Sequence, residues 1–426
     1  MHRFKKVALA TAVVSSIPLA AVADTSKTTI TGDAVVDHYG AIAYAVFTDS
    51  LTTAKQLQSN IEALLFEPSQ KTLDQARAAW LAARVPYQQS EVFRFGNRIV
   101  DEWEGQLNAW PLDEGLMDYV DTGRYHHEMG NAGATANIIA NTSITIGGKK
   151  VDLSEITPDV LGSLNEIGGS EANVATGYHA IEFLLWGQDL NGTQAGAGDR
   201  PYTDYVVGKG CSHGNCDRRG EYIQAAAQLL VNDLAYMQGQ WASDKKDNYR
   251  AKLNSDNPTA GLTKALFGMG SLALGELAGE RMKVALTANS TEDEHDCFSD
   301  NTHHSHFYDV KGIENIYFGH YVRVDGTTLA GPSIADLVEK SDPGLADATR
   351  TQFGKTIAVM QSIVDMAEDG TNPMKFDQMI AEGNSKGAAV IEHAITSLVN
   401  LTRQIEKVSF AVGIENLNPD TADHDF

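Results

Sequence analysis

Basic residues are scarce in this chain. Its 33 lysines and arginines face 56 aspartates and glutamates, a formal net charge of −23. A phosphate backbone needs a basic face, so this deficit excludes nucleic acid as a partner and argues equally against docking on anionic lipid. The excess acid suits a solvated surface or the attraction of cations. Cysteine is scarce too, with three in 426 residues. Cys211 and Cys216, in Cys-Ser-His-Gly-Asn-Cys, are spaced for a short disulfide loop in an oxidising compartment, with a metal-binding pair as the alternative. Cys297 is left over and reads as a small apolar residue. There is no Cys-x-x-Cys-His haem attachment, no Gly-rich phosphate loop after a strand and no Gly-x-Ser-x-Gly elbow. Beyond the first residues no apolar run reaches the roughly 20 residues of a membrane-spanning helix.

What is present begins with a leader. Met1 to Lys6 form a short basic head, an apolar run from Val7 to Val22 is broken by Ser15, Ser16 and Pro18, and Ala21-Val22-Ala23 ends it. This pattern predicts a secretory signal peptide over residues 1–23, a mature start near Asp24, and export. Cleavage would remove Arg3, Lys5 and Lys6 and make the balance more acidic still. No cysteine sits at the cleavage point, which speaks against a lipid anchor.

The remaining pattern is mostly helical. Val36, Tyr39, Ala43, Val46, Leu57, Ile61, Leu64 and Leu65 mark one helix, which Pro68 stops. A second is expected from Thr72, with Gln75 completing a capping box. Helical spacing returns around Gly177–Trp186, Ile223–Trp241, Leu262–Leu286 and Lys386–Val412. Ile144–Val151 and Val322–Leu329 read as two small hairpins, the second turning at Asp325-Gly326. About 400 residues are too many for one ordinary core. The glycine-rich, aperiodic stretch 191–220 reads as a linker between helical-bundle domains at 24–190 and 221–426. The halves share features in the same order. Glu91 lies four before Phe95 and Glu294 four before Phe298; a hairpin follows in each. Then come His179-Ala180-Ile181-Glu182-Phe183-Leu184-Leu185 and His393-Ala394-Ile395-Thr396-Ser397-Leu398-Val399. The expected fold is all-α: two duplicated helical bundles with small β-hairpin insertions.

Three groups could carry chemistry. In Gly177-Tyr178-His179-Ala180-Ile181-Glu182, His179 and Glu182 lie one turn apart on a helix and can converge on a zinc or iron ion, or simply on each other. Gly177 would let a neighbouring backbone or ligand approach. The second half keeps the histidine but has Thr396 in place of the acid, which marks Glu182 as the functional element. The stretch Glu292–His306 packs four histidines and five carboxylates into fifteen residues. It reads either as a metal site, with Glu294, His295 and His303 as ligands, or as an exposed polar loop. Arg84, Gln88 and Glu91 share one helix face, as a buried ion-pair network or as the polar wall of a cleft. Trp103, Trp110 and Pro111 form an aromatic loop of the kind that more often packs than binds.

With these residues in place, the sequence resembles the imelysin family, in particular its iron-regulated envelope branch. The likeness is carried by Gly177, His179 and Glu182 as Gly-x-His-x-x-Glu, by Ala79-Trp80 to Phe95-Gly96 and by Asn108-Ala109-Trp110-Pro111-Leu112-Asp113. It continues in Gly275-Glu276-Leu277-Ala278-Gly279-Glu280-Arg281-Met282 and in Glu292–His303. The resemblance implies a duplicated helical-bundle fold and a role in iron or haem acquisition in the periplasm or at the outer membrane of a Gram-negative bacterium, with an envelope iron-uptake partner. It also implies metallopeptidase classification, after a member that cleaves insulin. The motif assigns Gly177, His179 and Glu182. Arg84, Glu91, Glu294, His295 and His303 are added from this chain's own pattern, for iron or another divalent metal or an iron-bearing ligand. Because the motif lacks the second histidine of His-Glu-x-x-His, binding is expected ahead of metal-dependent proteolysis or a non-catalytic adaptor role.

Overall fold

A computed structural model describes residues 30–421. The expected leader, residues 1–23, lies outside them. Helix α1 (Gly32–Phe66) is capped by the Thr31 hydroxyl, which accepts from the Ala34 N–H. Its length follows from apolar residues that recur around Val36, Tyr39, Ala43, Val46, Leu57, Ile61 and Leu64, all buried. Helix α2 (Gln70–Gln88) starts earlier than the spacing predicts. Ser69, not Thr72, is the cap, and Thr72 takes the third helical position and returns the hydrogen bond. Ser69 is extended, with φ −156° and ψ 161°, the conformation a cap needs.

After α3 (Arg98–Leu107), strands β1 (Ser143–Ile146) and β2 (Lys149–Asp152) form the first hairpin, with Ile146 opposite Lys149. Helices α4 (Pro158–Gly162) and α5 (Gly177–Trp186) follow. All ten residues of α5 are buried, as expected of a helix apolar on every side. The stretch that follows is irregular but anchored. Arg200 pairs with Asp118 at 2.7 Å and with Asp204 at 3.0 Å, and Cys211 is disulfide-bonded to Cys216. The Gly198 N–H donates to the Phe298 carbonyl, which ties the stretch to the far half of the chain.

Helix α6 (Cys216–Trp241) completes a first bundle with α1, α2 and α5. Helices α7 (Tyr249–Ser255) and α8 (Pro258–Ser271) lead into a π-helical segment, Leu272–Val284, and then α9 (Ala285–Ala288). The wider π turn brings residues five apart onto one face, which sets Glu276 beside Arg281 at 2.8 Å. Helix α10 (Thr302–Phe318) precedes the second hairpin, β3 (His320–Val322) with β4 (Thr328–Ala330), turned at Gly326. Then come α11 (Ile334–Ser341), α12 (Pro343–Ala367), α13 (Phe376–Met379) and α14 (Ser385–Ala411). Helices α10, α12, α14 and the π segment pack as a second group. The groups meet where α10 crosses α2 and where α8 touches both α1 and α14, and buried apolar side chains run continuously from one to the other. No helix among the described residues is long and apolar enough to cross a membrane.

Candidate metal centre

The site starts from a glycine. Gly177 opens α5 with φ +82°, and a Cβ there would lie 2.4 Å from the Leu107 carbonyl oxygen. Only glycine takes that backbone angle cheaply and lets α5 press against the end of α3. So seated, α5 turns His179 and Glu182 inward. His179 Nδ1 is 2.9 Å from Glu182 Oε2, and Glu182 Oε1 accepts from the Ser299 N–H (2.9 Å) and hydroxyl (2.7 Å). Glu182 is thus held at both oxygens, while the buried Nε2 of His179 has no hydrogen-bond partner. A buried ring nitrogen left without a partner is uncommon and calls for an explanation.

The segment just before α10 supplies the opposite wall. The His295 ring stands edge-on to His179 with centroids 4.8 Å apart, and Trp110 meets it from another side at 5.5 Å. Asp296 accepts from Arg84 Nη2 at 2.7 Å, from Asn301 Nδ2 at 2.8 Å and from the Ser305 hydroxyl. Its own N–H donates to Thr302 Oγ1. His179, His295 and Asp296, all buried, each offer one ligand atom, and these lie within 4.8 Å of one another. Two imidazoles and a carboxylate suit a first-row transition cation such as iron or zinc. The unpartnered His179 Nε2 is what such an ion would engage, so the residues fit a metal.

Polar contacts continue outward. With its amide oxygen toward Arg84 and Ser305, Gln88 donates to Asp309 Oδ1 at 3.2 Å. Arg281 holds Asp309 at 2.9 Å, Glu91 at 2.7 Å and Glu276 at 2.8 Å. Arg84 and Glu91 therefore do belong to a buried ion-pair network, each through its own partner.

Burial shapes the charges. Desolvation, and after it the nearby Arg84 guanidinium, holds His179 far below its ordinary range; desolvation and Arg281 do the same to His295. Both are neutral imidazoles, the form that binds metals. Burial pushes the Asp296 carboxyl up, but Arg84 and the hydrogen bonds from Ser305 and Asn301 outweigh it and hold it at about 2. Glu182 goes the other way: burial and the charge of Asp296 raise it well above the usual carboxylate range. A protonated Glu182 donates from Oε2 to His179 Nδ1 and leaves the ring proton on Nε2. A cation at Nε2 would displace that proton and leave Glu182 ionised, accepting from Nδ1–H, so Glu182 orients the ring in both states. Arg84 neutralises Asp296 and would share that carboxylate with an incoming cation.

The structure brings together His179, Glu182, His295 and Arg84, and links Glu91 through Arg281. It does not bring in Glu294, whose buried carboxylate feels Asp377 and Asp300 and whose Oε1 is unpartnered. His303 belongs to a separate group with His304 and Glu368. Gly177 serves the seating of α5. The exposed-loop reading of Glu292–His306 is overturned, because Glu294, His295, Asp296, His303 and His306 are all buried. Sequence reasoning missed Asp296 as a ligand candidate. Its neighbour His295 was the available signal, but five nearby carboxylates gave no means of choosing among them.

Fold and site together define an envelope of helices around a buried histidine–carboxylate centre. The family model for imelysin matches residues 43–405, and the chain belongs to that family. Among curated proteins, the iron-regulated protein A of Synechococcus elongatus is 33% identical over 60 residues, 14% of this chain. The matched part spans only 17% of that relative's length. Among solved structures, an iron-regulated protein A precursor from Parabacteroides distasonis superposes with a TM-score of 0.62 at 19% identity, over 89% of this chain and 95% of that one. An imelysin-like protein from Psychrobacter arcticus gives 0.56 at 14% identity, over 90% and 97%. These likenesses establish the helical fold.

Proposed function

We propose that this protein is an exported, iron-associated member of its family that binds a transition-metal cation, iron or an iron-bearing species, between its two helical groups. His179, His295 and Asp296 are the ligands, Glu182 positions His179, and Arg84 tunes Asp296. The observation that carries the reading is the buried, unpartnered Nε2 of His179, on a ring that packs beside the His295 imidazole and near the Asp296 carboxylate. The iron-regulated relative and the basic–apolar leader support the link to iron and to the envelope. Glu182 is committed at both oxygens, which favours a binding site over a hydrolase that needs a free base. Anaerobic Fe²⁺ titration of the mature protein by calorimetry tests this. His179→Ala should lower the stoichiometry by one, and an unchanged stoichiometry would overturn the assignment.

A further inference from the structure

A second group of metal-type side chains stands apart from the buried centre. A cavity of about 330 Å³ opens between α2 and the start of α10 and is lined in part by Arg84, Ser299, His303, His304, Glu368 and Lys375. His303 and His304 are adjacent in the first turn of α10, their ring centroids 4.4 Å apart. Glu368 caps the end of α12 and brings its carboxylate to them. Its Oε1 is 2.7 Å from His304 Nε2 and 3.9 Å from His303 Nε2. The ligand atoms of all three lie within 4.8 Å of one another. His303 is only 2% exposed, and neither of its ring nitrogens has a hydrogen-bond partner, although it lines the cavity.

From this geometry we infer a second divalent-cation site, formed by His303, His304 and Glu368 at the cavity wall, which takes a first-row transition ion. Two imidazoles and one carboxylate select such an ion over calcium or magnesium, which prefer all-oxygen ligands. Metal–ligand bonds near 2.1 Å place ligand atoms about 3–3.4 Å apart, so the two nitrogen–oxygen distances need to change by less than an ångström each. Partial exposure of His304 and Glu368 leaves coordination positions open to water or to a ligand carried in with the ion. Lys375 also lines the cavity, near the carboxyl groups of Asp300 and Asp377. The inference rests on these three residues and not on the reading of the buried centre.

Zn²⁺ titration of the full mature chain, followed by calorimetry and repeated with Co²⁺ to read the ligand field, tests it. In a His179→Ala background one equivalent should remain, and adding His304→Ala with Glu368→Gln should weaken that equivalent at least about tenfold. Both positions are partly exposed, so the fold should survive, and an unchanged thermal transition confirms it. If the combined variant binds zinc as tightly as its His179→Ala parent, or if that parent binds none, the second site is overturned. Loss of one equivalent on His304→Ala and Glu368→Gln with no effect of His179→Ala would refute the buried centre while upholding this site.

Discussion

Helices α5 and α14 carry nearly the same words and put them to opposite uses. In α5 the run His179–Leu185 is enclosed on every side, chiefly by α2 and α6. In α14 the run His393–Val399 lies on an amphipathic helix whose covered stripe is Ile391, Ala394, Ser397, Leu398 and Leu401. His393 falls just off that stripe and is exposed, as is Thr396. The same imidazole is thus a neutral group with one unsatisfied nitrogen in one place and a solvated side chain in the other. What a histidine does is decided by the face that neighbouring helices cover, and that depends on residues far away in the chain.

The sharpest way to break this contrast is to remove the cation that keeps the covered side stable. Arg281→Met would strand Glu91, Glu276 and Asp309 without their shared partner. Loss of one member of a buried ion network costs about 3–5 kcal/mol, so urea unfolding should show a drop of that order. A loss under about 1 kcal/mol, the worth of an exposed pair, would mean the network is not sealed from water. Next in size is the positioning role of Glu182. Glu182→Gln should weaken metal binding about 10- to 100-fold, read by calorimetry, while Thr396→Glu should create no new binding.

Two sets of buried carboxylates separate the pH response. Asp296 is held at about 2, below its unfolded value near 4, so its contribution to stability is present above pH 4 and is lost only as pH falls through 2. Asp300 and Asp377 are pushed up by burial to about 7 and about 8. The folded state then keeps protons that the unfolded state gives up near pH 4, so stability declines as pH rises from about 4 to 8. The thermal midpoint should fall steadily from pH 5 to pH 8, and Asp377→Asn should flatten that slope. Smallest of all is His393→Ala, expected within about 0.5 kcal/mol of the parent and without effect on metal binding. A larger loss would erase the contrast between the helices.

Much of the helical architecture is legible in local pattern. The stripe of α1, the starts of the hairpins and the long periodic runs of α6 and α14 all follow from side-chain spacing. So does the inward convergence of His179 and Glu182, a matter of one helical turn. The rest is not local. Choosing Asp296 from its acidic neighbours requires Arg84, which lies 212 residues earlier in the chain. Seeing that Glu182 is held at both oxygens requires Ser299. The π turn that aligns Glu276 with Arg281 leaves no periodic trace in a sequence whose glycines and alanines suit an α-helix as well. His303 was identified as a ligand type, but its partner Glu368 comes from the end of a helix 64 residues beyond His304.

Glu182 and the Ser299 groups that grip it are 117 positions apart. During synthesis, the motif-bearing helix therefore emerges long before anything exists to orient its histidine. An amino-terminal fragment ending ahead of Ser299 would own the recognisable motif and lack the groups that grip Glu182. In the proposed metal-binding role, capture would wait until both segments are in place.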